Sequence, residues 1–452
     1  MSRLAINEVI DTKSKLGRCV EDLRVAVVGS VDAGKSSLIG VLTSGNLDDG
    51  RGSARLKVFS CKHESDSGRT STISHHIVGI NDNTEFVHEN TMNSDPVKKK
   101  NKSWRTLMHN TKRTITFVDL AGHEKYVRTT MLGLSGTFPD IAMVIINANT
   151  GVSKMTKEHL TIVNSLRIPF IIVVTKIDMV SNHILSMCMQ GIHKLLHSIK
   201  GCKYINIDKQ DDIKRCIKSN CVPIISISSV IGTHLDHLKL FLALYKPHRS
   251  DSVDIKGTEV HIDAAWDVTG YGLTLSGFVR SGTVSENDIL FLGPFTNGTF
   301  EEVMIKTVYT KRTPTISVSK QSTCSVSIKP VNRKKVISKT DIRSGMVLVD
   351  VKNPQSYRNF KAKVYILHHA TTINPKYQPV IHITGIKQAA RIKSLIDTPR
   401  KEDSLRSGDK STVEFEFEYR PEYIHVGERF IFTEGSTKGI GIVSELNNIS
   451  NY

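Results

Sequence analysis

The eight residues Gly29-Ser-Val-Asp-Ala-Gly-Lys-Ser36 constrain this chain more than any other stretch. They read G-x-x-x-x-G-K-S, a phosphate-binding loop, and such a loop works only between a strand and a helix. Both flanks are present. Arg24-Val-Ala-Val-Val28 is a short apolar run suited to a buried parallel strand, and Ser37-Leu-Ile-Gly-Val-Leu42 continues as the first turns of a helix. Glycines let successive backbone N–H groups turn inward around phosphate oxygens. The helix N-terminus adds partial positive charge. Lys35 is expected to reach the β- and γ-phosphates of a nucleoside triphosphate, and the Ser36 hydroxyl to ligate Mg²⁺. The nucleotide contacts then fall on Gly29, Ser30, Val31, Asp32, Ala33, Gly34, Lys35, Ser36 and Ser37.

A chain of 452 residues is too long for one core; roughly two to four domains are expected. At 39% hydrophobic and 23% charged residues it has an ordinary globular composition. No run of about 18 apolar residues occurs, so no membrane span is expected. Met1-Ser-Arg-Leu-Ala-Ile-Asn7 has no apolar signal core. Seven scattered cysteines without a C-x-x-C pair point to reduced thiols in the cytoplasm rather than a disulfide frame or zinc site. The net charge of +17 points to a polyanionic partner, RNA first.

Residues 1–22 read as a polar leader with spaced Leu4, Val9, Ile10 and Leu16. After the phosphate-loop helix, residues 43–70 are polar, too long a stretch to be idle. A flexible loop here would close over the γ-phosphate and complete the Mg²⁺ shell with a hydroxyl. Thr70, Ser71 and Thr72 compete for that role. Thr72 is favoured because Ile73 and Ile77-Val-Gly-Ile80 then begin a strand. Residues 81–110, with Lys98-Lys-Lys100 and Lys102, read as a solvated insertion.

Thr114-Ile-Thr-Phe-Val118 is a buried strand that runs into Asp119-Leu-Ala-Gly-His123. Asp-x-x-Gly at a strand end senses a γ-phosphate: Asp119 is expected to reach Mg²⁺ through a water, and the Gly122 N–H to bond the phosphate. His123 follows directly and is placed to orient the attacking water. Further strands are expected over residues 140–146, 169–174 and 222–227, with helices around 156–166 and 235–244. The strand at 169–174 ends in Thr175-Lys-Ile-Asp178, near the guanine-reading pattern Asn-Lys-x-Asp. The Asp178 carboxylate would accept two hydrogen bonds from guanine, a pair adenine does not offer. Lys176 would lie along the base. Thr175 replaces the usual Asn and has a shorter polar arm, so the departure bears on nucleotide affinity. Ser228, Ser229 and Val230 end the last strand, where a backbone N–H would meet the guanine O6.

Alternating strands and helices give an α/β domain over 23–249, with a mainly parallel sheet and helices on both faces. Past residue 250, helical periodicity gives way to short β-rich runs separated by Gly, Asn and Pro. They suit two β-barrels, over 253–350 and 355–449. The first holds Lys306, Lys311, Arg312, Lys320, Lys329, Arg333, Lys334, Lys335, Lys339 and Arg343, with Asp341 the only acid in that span. This predicts an RNA- or ribosome-facing surface. No aromatic-rich recognition motif accompanies it, so reading of base sequence is not expected.

Taken together, Val25-Ala-Val-Val-Gly-Ser-Val-Asp-Ala-Gly-Lys-Ser36, Gly50-Arg-Gly-Ser-Ala-Arg55, Ser67-Gly-Arg-Thr-Ser-Thr72, Asp119-Leu-Ala-Gly-His-Glu-Lys-Tyr126, Val174-Thr-Lys-Ile-Asp-Met179, Leu367-His-His-Ala-Thr-Thr-Ile373, Tyr377-Gln-Pro-Val380 and Leu405-Arg-Ser-Gly-Asp-Lys410 resemble the translational GTPases of the elongation factor Tu class. More closely, they resemble the GTP-binding protein 1 and 2 family. The resemblance covers about residues 23–446. It implies GTP/GDP and Mg²⁺ as ligands and GTP hydrolysis as the activity. It makes His123 the catalytic histidine, Val31 a gate beside it, and Asp32 a contact for a monovalent cation. It implies aminoacyl-tRNA and the ribosome as partners of a cytoplasmic monomer, in elongation or messenger-RNA surveillance. The Thr175 departure is shared with this family. Two alternatives stand beside it: an RNA-binding module with little hydrolysis, and a GTPase companion of a sulfate-activating enzyme.

Overall fold

The computed structural model describes residues 21–59, 64, 68, 70–88, 108, 111–247, 255–332, 334–368, 371–398, 404–435 and 437–447. The leader through residue 20, the 98–102 lysine run and Arg333 lie outside the described residues. One compact unit holds the α/β domain, and a second holds both barrels.

The α/β domain contains β1 (Glu21–Gly29), β2 (Ser74–Ile80), β3 (Phe86–Val87), β4 (Arg113–Asp119), β5 (Ile141–Asn147), β6 (Phe170–Thr175), β7 (Tyr204–Asn206) and β8 (Val222–Ser226). They form a sheet in the order β3-β2-β4-β1-β5-β6-β8-β7. From β4 to β7 along that order every pairing is parallel, while β2 pairs antiparallel with both β4 and β3. Strands covered on both faces read as apolar runs, and β1 is buried from Asp22 onward. Glu21 and Asp22, read with the leader, pair with Arg113 and Thr114 of β4.

The helices are α1 (Lys35–Ser44), α2 (Ser53–Leu56), α3 (Val127–Gly136), α4 (Lys154–Ser165), α5 (Asn182–His197), α6 (Gln210–Ser219) and α7 (Leu235–Leu244). Leu38 and Ile39 of α1, Ile213 of α6 and Leu238 of α7 share one apolar cluster with Leu23, Val25 and Val27, alternate residues on one face of β1. Leu160 and Val163 of α4 and Ile192 and Leu196 of α5 are buried outside that cluster. Helix α1 ends at Gly45, whose left-handed backbone (φ 76°) lets its N–H close on the Val41 carbonyl.

The second unit begins with β9 (Glu259–Val268), β10 (Gly272–Ser281), β11 (Thr283–Ser285), β12 (Ile289–Gly293), β13 (Glu301–Thr310), β14 (Thr313–Thr315), β15 (Ser317–Ser319), β16 (Ser322–Pro330) and β17 (Val347–Val349). The order β12-β17-β9-β10-β16-β13 closes on itself through the β12–β13 pairing, making a barrel. The next barrel is β18 (Asn359–His368), β19 (Val380–Ile383), β20 (Ile386–Ile396), β21 (Lys410–Phe417), β22 (Arg429–Glu434) and β23 (Thr437–Asn447), closed in the order β18-β21-β20-β19-β22-β23. On β21 the residues Val413, Phe415 and Phe417 point inward, with Glu414 and Glu416 between them half-exposed. This is the strict alternation of a strand covered on one face.

The barrels are joined by buried charge. Glu259 of β9 accepts from His261 (2.7 Å) and from His425 of the other barrel (2.8 Å), and Arg280 bridges Glu259 and Glu428. Arg343 pairs with Glu422 at 2.8 Å. The basic span expected to face a partner therefore loses two members. Arg343 is spent on the barrel contact, and Lys311 is buried. Lys306, Arg312, Lys320, Lys329, Lys334, Lys335 and Lys339 are exposed, Lys335 with Glu301 as its partner. Among the described residues, no helix is long and apolar enough to cross a membrane.

Candidate nucleotide site

Strand β1 ends at Gly29 and α1 begins at Lys35. Between them Asp32 (φ 57°) and Gly34 (φ 86°) take left-handed backbone, and Gly34 caps α1 without any side-chain bond. The first amides of α1 thus have no intrahelical acceptor, as an anion site requires. Lys35 is buried, and its Nζ donates to the carbonyls of Ser30 (2.9 Å) and Gly29 (3.2 Å). Burial pushes its pKa down, against the upward pull of Asp119 and Asp32. Gly122 packs against it: a Cβ there would overlap Lys35 Nζ and the Gly29 carbonyl. Val31, Asp32, Ser37, Gly122 and His123 line the same pocket, and Asp32 is exposed at its rim.

Beside Lys35, three oxygens converge. Ser36 Oγ donates to Asp119 Oδ2 at 2.7 Å, Thr70 Oγ1 lies 2.8 Å from Ser36 Oγ, and Thr70 also donates to Asp119 Oδ2 at 3.1 Å. Asp119 Oδ1 is buried without a hydrogen-bond partner among the described residues. Burial pushes the Asp119 carboxyl up, against Lys35, Ser36 and Thr70. One carboxylate and two hydroxyls, with an oxygen still unpaired, are the hard donors that Mg²⁺ takes.

Thr72, favoured from sequence, does not stand there. Its Oγ1 (2.9 Å) and N–H (3.0 Å) donate to Glu64 Oε1, as do the Ser71 N–H (2.8 Å) and Oγ (3.0 Å). Glu64 is 1% exposed. Burial raises its pKa, but these four bonds outweigh that and bring it down to about 2. With residues 71–72 tied to Glu64, Thr70 is the hydroxyl brought to Ser36 and Asp119.

His123 opens a short turn and accepts the Lys125 N–H on Nδ1 at 3.1 Å. A neutral ring so engaged carries its proton on Nε2.

At the end of β6, Thr175 is 2% exposed, and its Oγ1 donates to the Ala33 carbonyl at 2.7 Å. The shorter arm still ties this loop to the phosphate loop. Lys176 (φ 59°) turns the chain, and Asp178 is exposed in the following turn. Ser228 Oγ accepts from Val230 N (3.3 Å) and Ile231 N (3.1 Å), and the Ser228 N–H goes to the Thr233 carbonyl (3.2 Å). Of the three amides expected to meet a base, the Ser229 N–H is the one without an acceptor among the described residues.

The polar segment expected to be a flexible loop is built structure at its start. Asp48 N bonds the Ser229 carbonyl (2.9 Å), and Ala54 and Val58 belong to the core. A Cβ on Gly40 of α1 would overlap the Ala54 carbonyl, so α2 packs directly on α1. Two residues at the site were missed from sequence. Glu64 has no local signature, because its bonds to residues 71–72 are made by the fold. Arg55, which lines the phosphate pocket, stood within Gly50-Arg-Gly-Ser-Ala-Arg55, a motif without an assigned chemistry.

The family "Elongation factor Tu GTP binding domain" matches residues 21–265, and "Elongation factor Tu C-terminal domain" matches 353–447. GTP-binding protein 1 of Xenopus laevis is 40% identical over 437 residues, 95% of this chain and 64% of that protein. GTP-binding protein 2 of Homo sapiens is 35% identical over 457 residues, 98% of this chain and 73% of that protein. The chain thus spans just under two thirds of the Xenopus relative. Among solved structures, the bacterial selenocysteine-specific elongation factor EF-Sec matches with a TM-score of 0.65 at 16% identity, over 94% of this chain and 58% of that one. Translation elongation factor SelB from Methanococcus maripaludis, in complex with the GTP analogue GppNHp, matches with a TM-score of 0.65 at 17% identity, over 95% of this chain and 80% of that one. At such identities these two speak for the fold alone. With its phosphate loop, its Asp119-Leu-Ala-Gly122 strand end and these matches, the chain belongs to the elongation factor Tu family of GTPases, similar within it to GTP-binding proteins 1 and 2.

Proposed function

We propose that this protein binds GTP with Mg²⁺, hydrolyses it slowly alone, and is triggered by a ribosome carrying aminoacyl-tRNA. The observation that carries this is the convergence of Ser36, Thr70 and Asp119 beside buried Lys35, at the strand ends that also present Thr175 and Asp178. Lys35 and the α1 amides hold the β- and γ-phosphates. Ser36, Thr70 and Asp119 hold the metal, which when bound neutralises charge on the transferred group. Asp178 reads the guanine edge, Lys176 covers the base, and the Ser229 amide meets O6. Asp32 at the rim takes the monovalent cation that the resemblance implies.

His123 explains the slowness. With Nδ1 engaged by Lys125, its ring offers an Nε2–H donor, which orients water only when turned towards the γ-phosphate. A partner must release that contact. The exposed lysines of the first barrel supply an electrostatic surface for RNA phosphates. This role entails work in the cytoplasm.

GTP turnover measured with and without ribosomes and aminoacyl-tRNA tests it. The expected result is slow basal turnover, stimulation by about 10²-fold or more, and loss of that stimulation in His123→Ala. Fast turnover by the protein alone, or full stimulation in His123→Ala, would overturn it.

A further inference from the structure

Arg55 sits on α2, and its position is set by the turn that builds that helix. Asp49 Oδ1 accepts the Ser53 N–H (3.1 Å) and Asp48 Oδ1 the Ala54 N–H (2.9 Å). Helix α2 is then fixed on α1 by the Gly40–Ala54 approach. From this platform the Arg55 side chain folds back over Gly52. A Cβ at Gly52 would come within 2.6 Å of Arg55 Nε, and one at Gly68 within 3.3 Å of Nη2. Two glycines with left-handed backbone (φ 92° and 66°) therefore leave the space the guanidinium occupies. That space borders the pocket lined by Lys35, Ser36, Thr70, Gly122 and His123.

No carboxylate or carbonyl among the described residues pairs with the Arg55 guanidinium. Lys35, by contrast, already donates to two carbonyls. A guanidinium stays charged at any working pH and presents a planar fork of five donors matched to phosphate oxygens. A fork with no such partner among the described residues, at the wall of this pocket, calls for an anionic complement, which a phosphate oxygen in the pocket would supply.

We propose that Arg55 is a catalytic residue acting in cis: its guanidinium contacts the γ-phosphate oxygens of bound GTP and stabilises the charge that builds on them during transfer. This rests on the GTPase function proposed above. In the step, the water oxygen bonds to the γ-phosphorus as the bond from phosphorus to the β–γ bridging oxygen breaks. That electron pair leaves with GDP, and the water proton passes to the phosphate and solvent. Arg55 neither gives nor takes a proton. It differs from His123 in acting on the phosphoryl group rather than the water, so it contributes without a partner.

The test uses the full chain, wild type beside Arg55→Ala and Arg55→Lys. It measures GDP and GppNHp affinities, formation of the GDP–aluminium fluoride complex, and single-turnover GTP hydrolysis. The expected result for Arg55→Ala is GDP affinity within about threefold of wild type, loss of the aluminium fluoride complex, and hydrolysis slower by about 10²-fold. Arg55→Lys keeps the charge and the stem but loses the fork, and should bind both nucleotides while hydrolysing more slowly. Should Arg55→Ala fail to fold, Arg55→Lys decides. Wild-type rates in Arg55→Lys together with an intact aluminium fluoride complex overturn the proposal. So does an equal loss of GDP and GppNHp affinity in a folded variant. If wild type itself fails to bind or hydrolyse GTP, the broader function fails instead.

Discussion

Thr175 Oγ1 donates to the Ala33 carbonyl at 2.7 Å, which couples the end of β6 to the phosphate loop. The loop packs close enough for the short arm to reach: a Cβ on Gly34 would lie 3.8 Å from the same hydroxyl. Thr175→Val removes the donor at nearly constant volume and leaves a buried carbonyl without it. Losing such a bond costs about 1–1.5 kcal/mol, or about tenfold in affinity. Calorimetry should show that loss for GDP and GTP alike, with guanine preference retained. Native affinity in Thr175→Val would show the bond to be idle.

Asp178 is exposed in the turn after β6, and the proposed function sets a guanine edge against its carboxylate. Asp178→Asn turns one acceptor into a donor, which suits the 2-oxo group of xanthine and opposes the 2-amino group of guanine. Competition binding should show preference moving from guanine to xanthine nucleotides by about 10²-fold or more. An unchanged preference removes Asp178 from the base-reading role.

Glu64 holds residues 71–72 by four hydrogen bonds to one carboxylate oxygen. In nucleotide-free protein, amide exchange at Ser71 and Thr72 should be slow in wild type and about tenfold or more faster in Glu64→Ala, given roughly 1.5–3 kcal/mol for a hydrogen bond to a charged group. Glu64→Gln, with a neutral acceptor, should lie between. Equal exchange in all three would refute the anchoring role.

The contact between the barrels should depend on pH. Burial disfavours charge on His425, but the bond to Glu259 and the Glu259 and Glu428 carboxylates outweigh it and Arg280, so its pKa is raised. A raised pKa gives stability that is present below the ordinary histidine value and lost as pH climbs through the folded one. Glu259 is the opposite case: burial raises its pKa, yet bonds from His261 and His425 bring it well below the carboxylate range. Its stability is present above that range and is lost only in strong acid. The melting-temperature difference between wild type and His425→Gln should therefore be large near pH ~6 and shrink by pH ~9. A difference constant across that range would contradict the assignment.

Much of the site was legible because its chemistry is local. Gly29 to Ser36 must be contiguous to wrap a phosphate, and Asp119, Gly122 and His123, proposed to act on that phosphate and its metal, follow one another at one strand end. Apolar runs marked β1, β5 and β6, and strict alternation marked β21, since each pattern follows from which faces are covered. Less legible were residues whose role depends on a neighbour far along the chain. Thr72 looked like the metal ligand because it directly precedes a strand, but Glu64 claims it and delivers Thr70. Arg343 looked like one more surface cation, but it faces Glu422.

The sequence by itself determined the fold class and the family, and marked the strand ends where the guanine nucleotide is proposed to bind. Those depend on residue spacing that one loop or one strand must satisfy alone. Tertiary structure decided which hydroxyl meets Asp119, whether Thr175 reaches Ala33, which basic residues remain at the surface, and where the Arg55 guanidinium is held. Each of these is a contact between segments whose separation in the chain says nothing about their distance in space. Burial then sets the charge and pairing of the groups that meet.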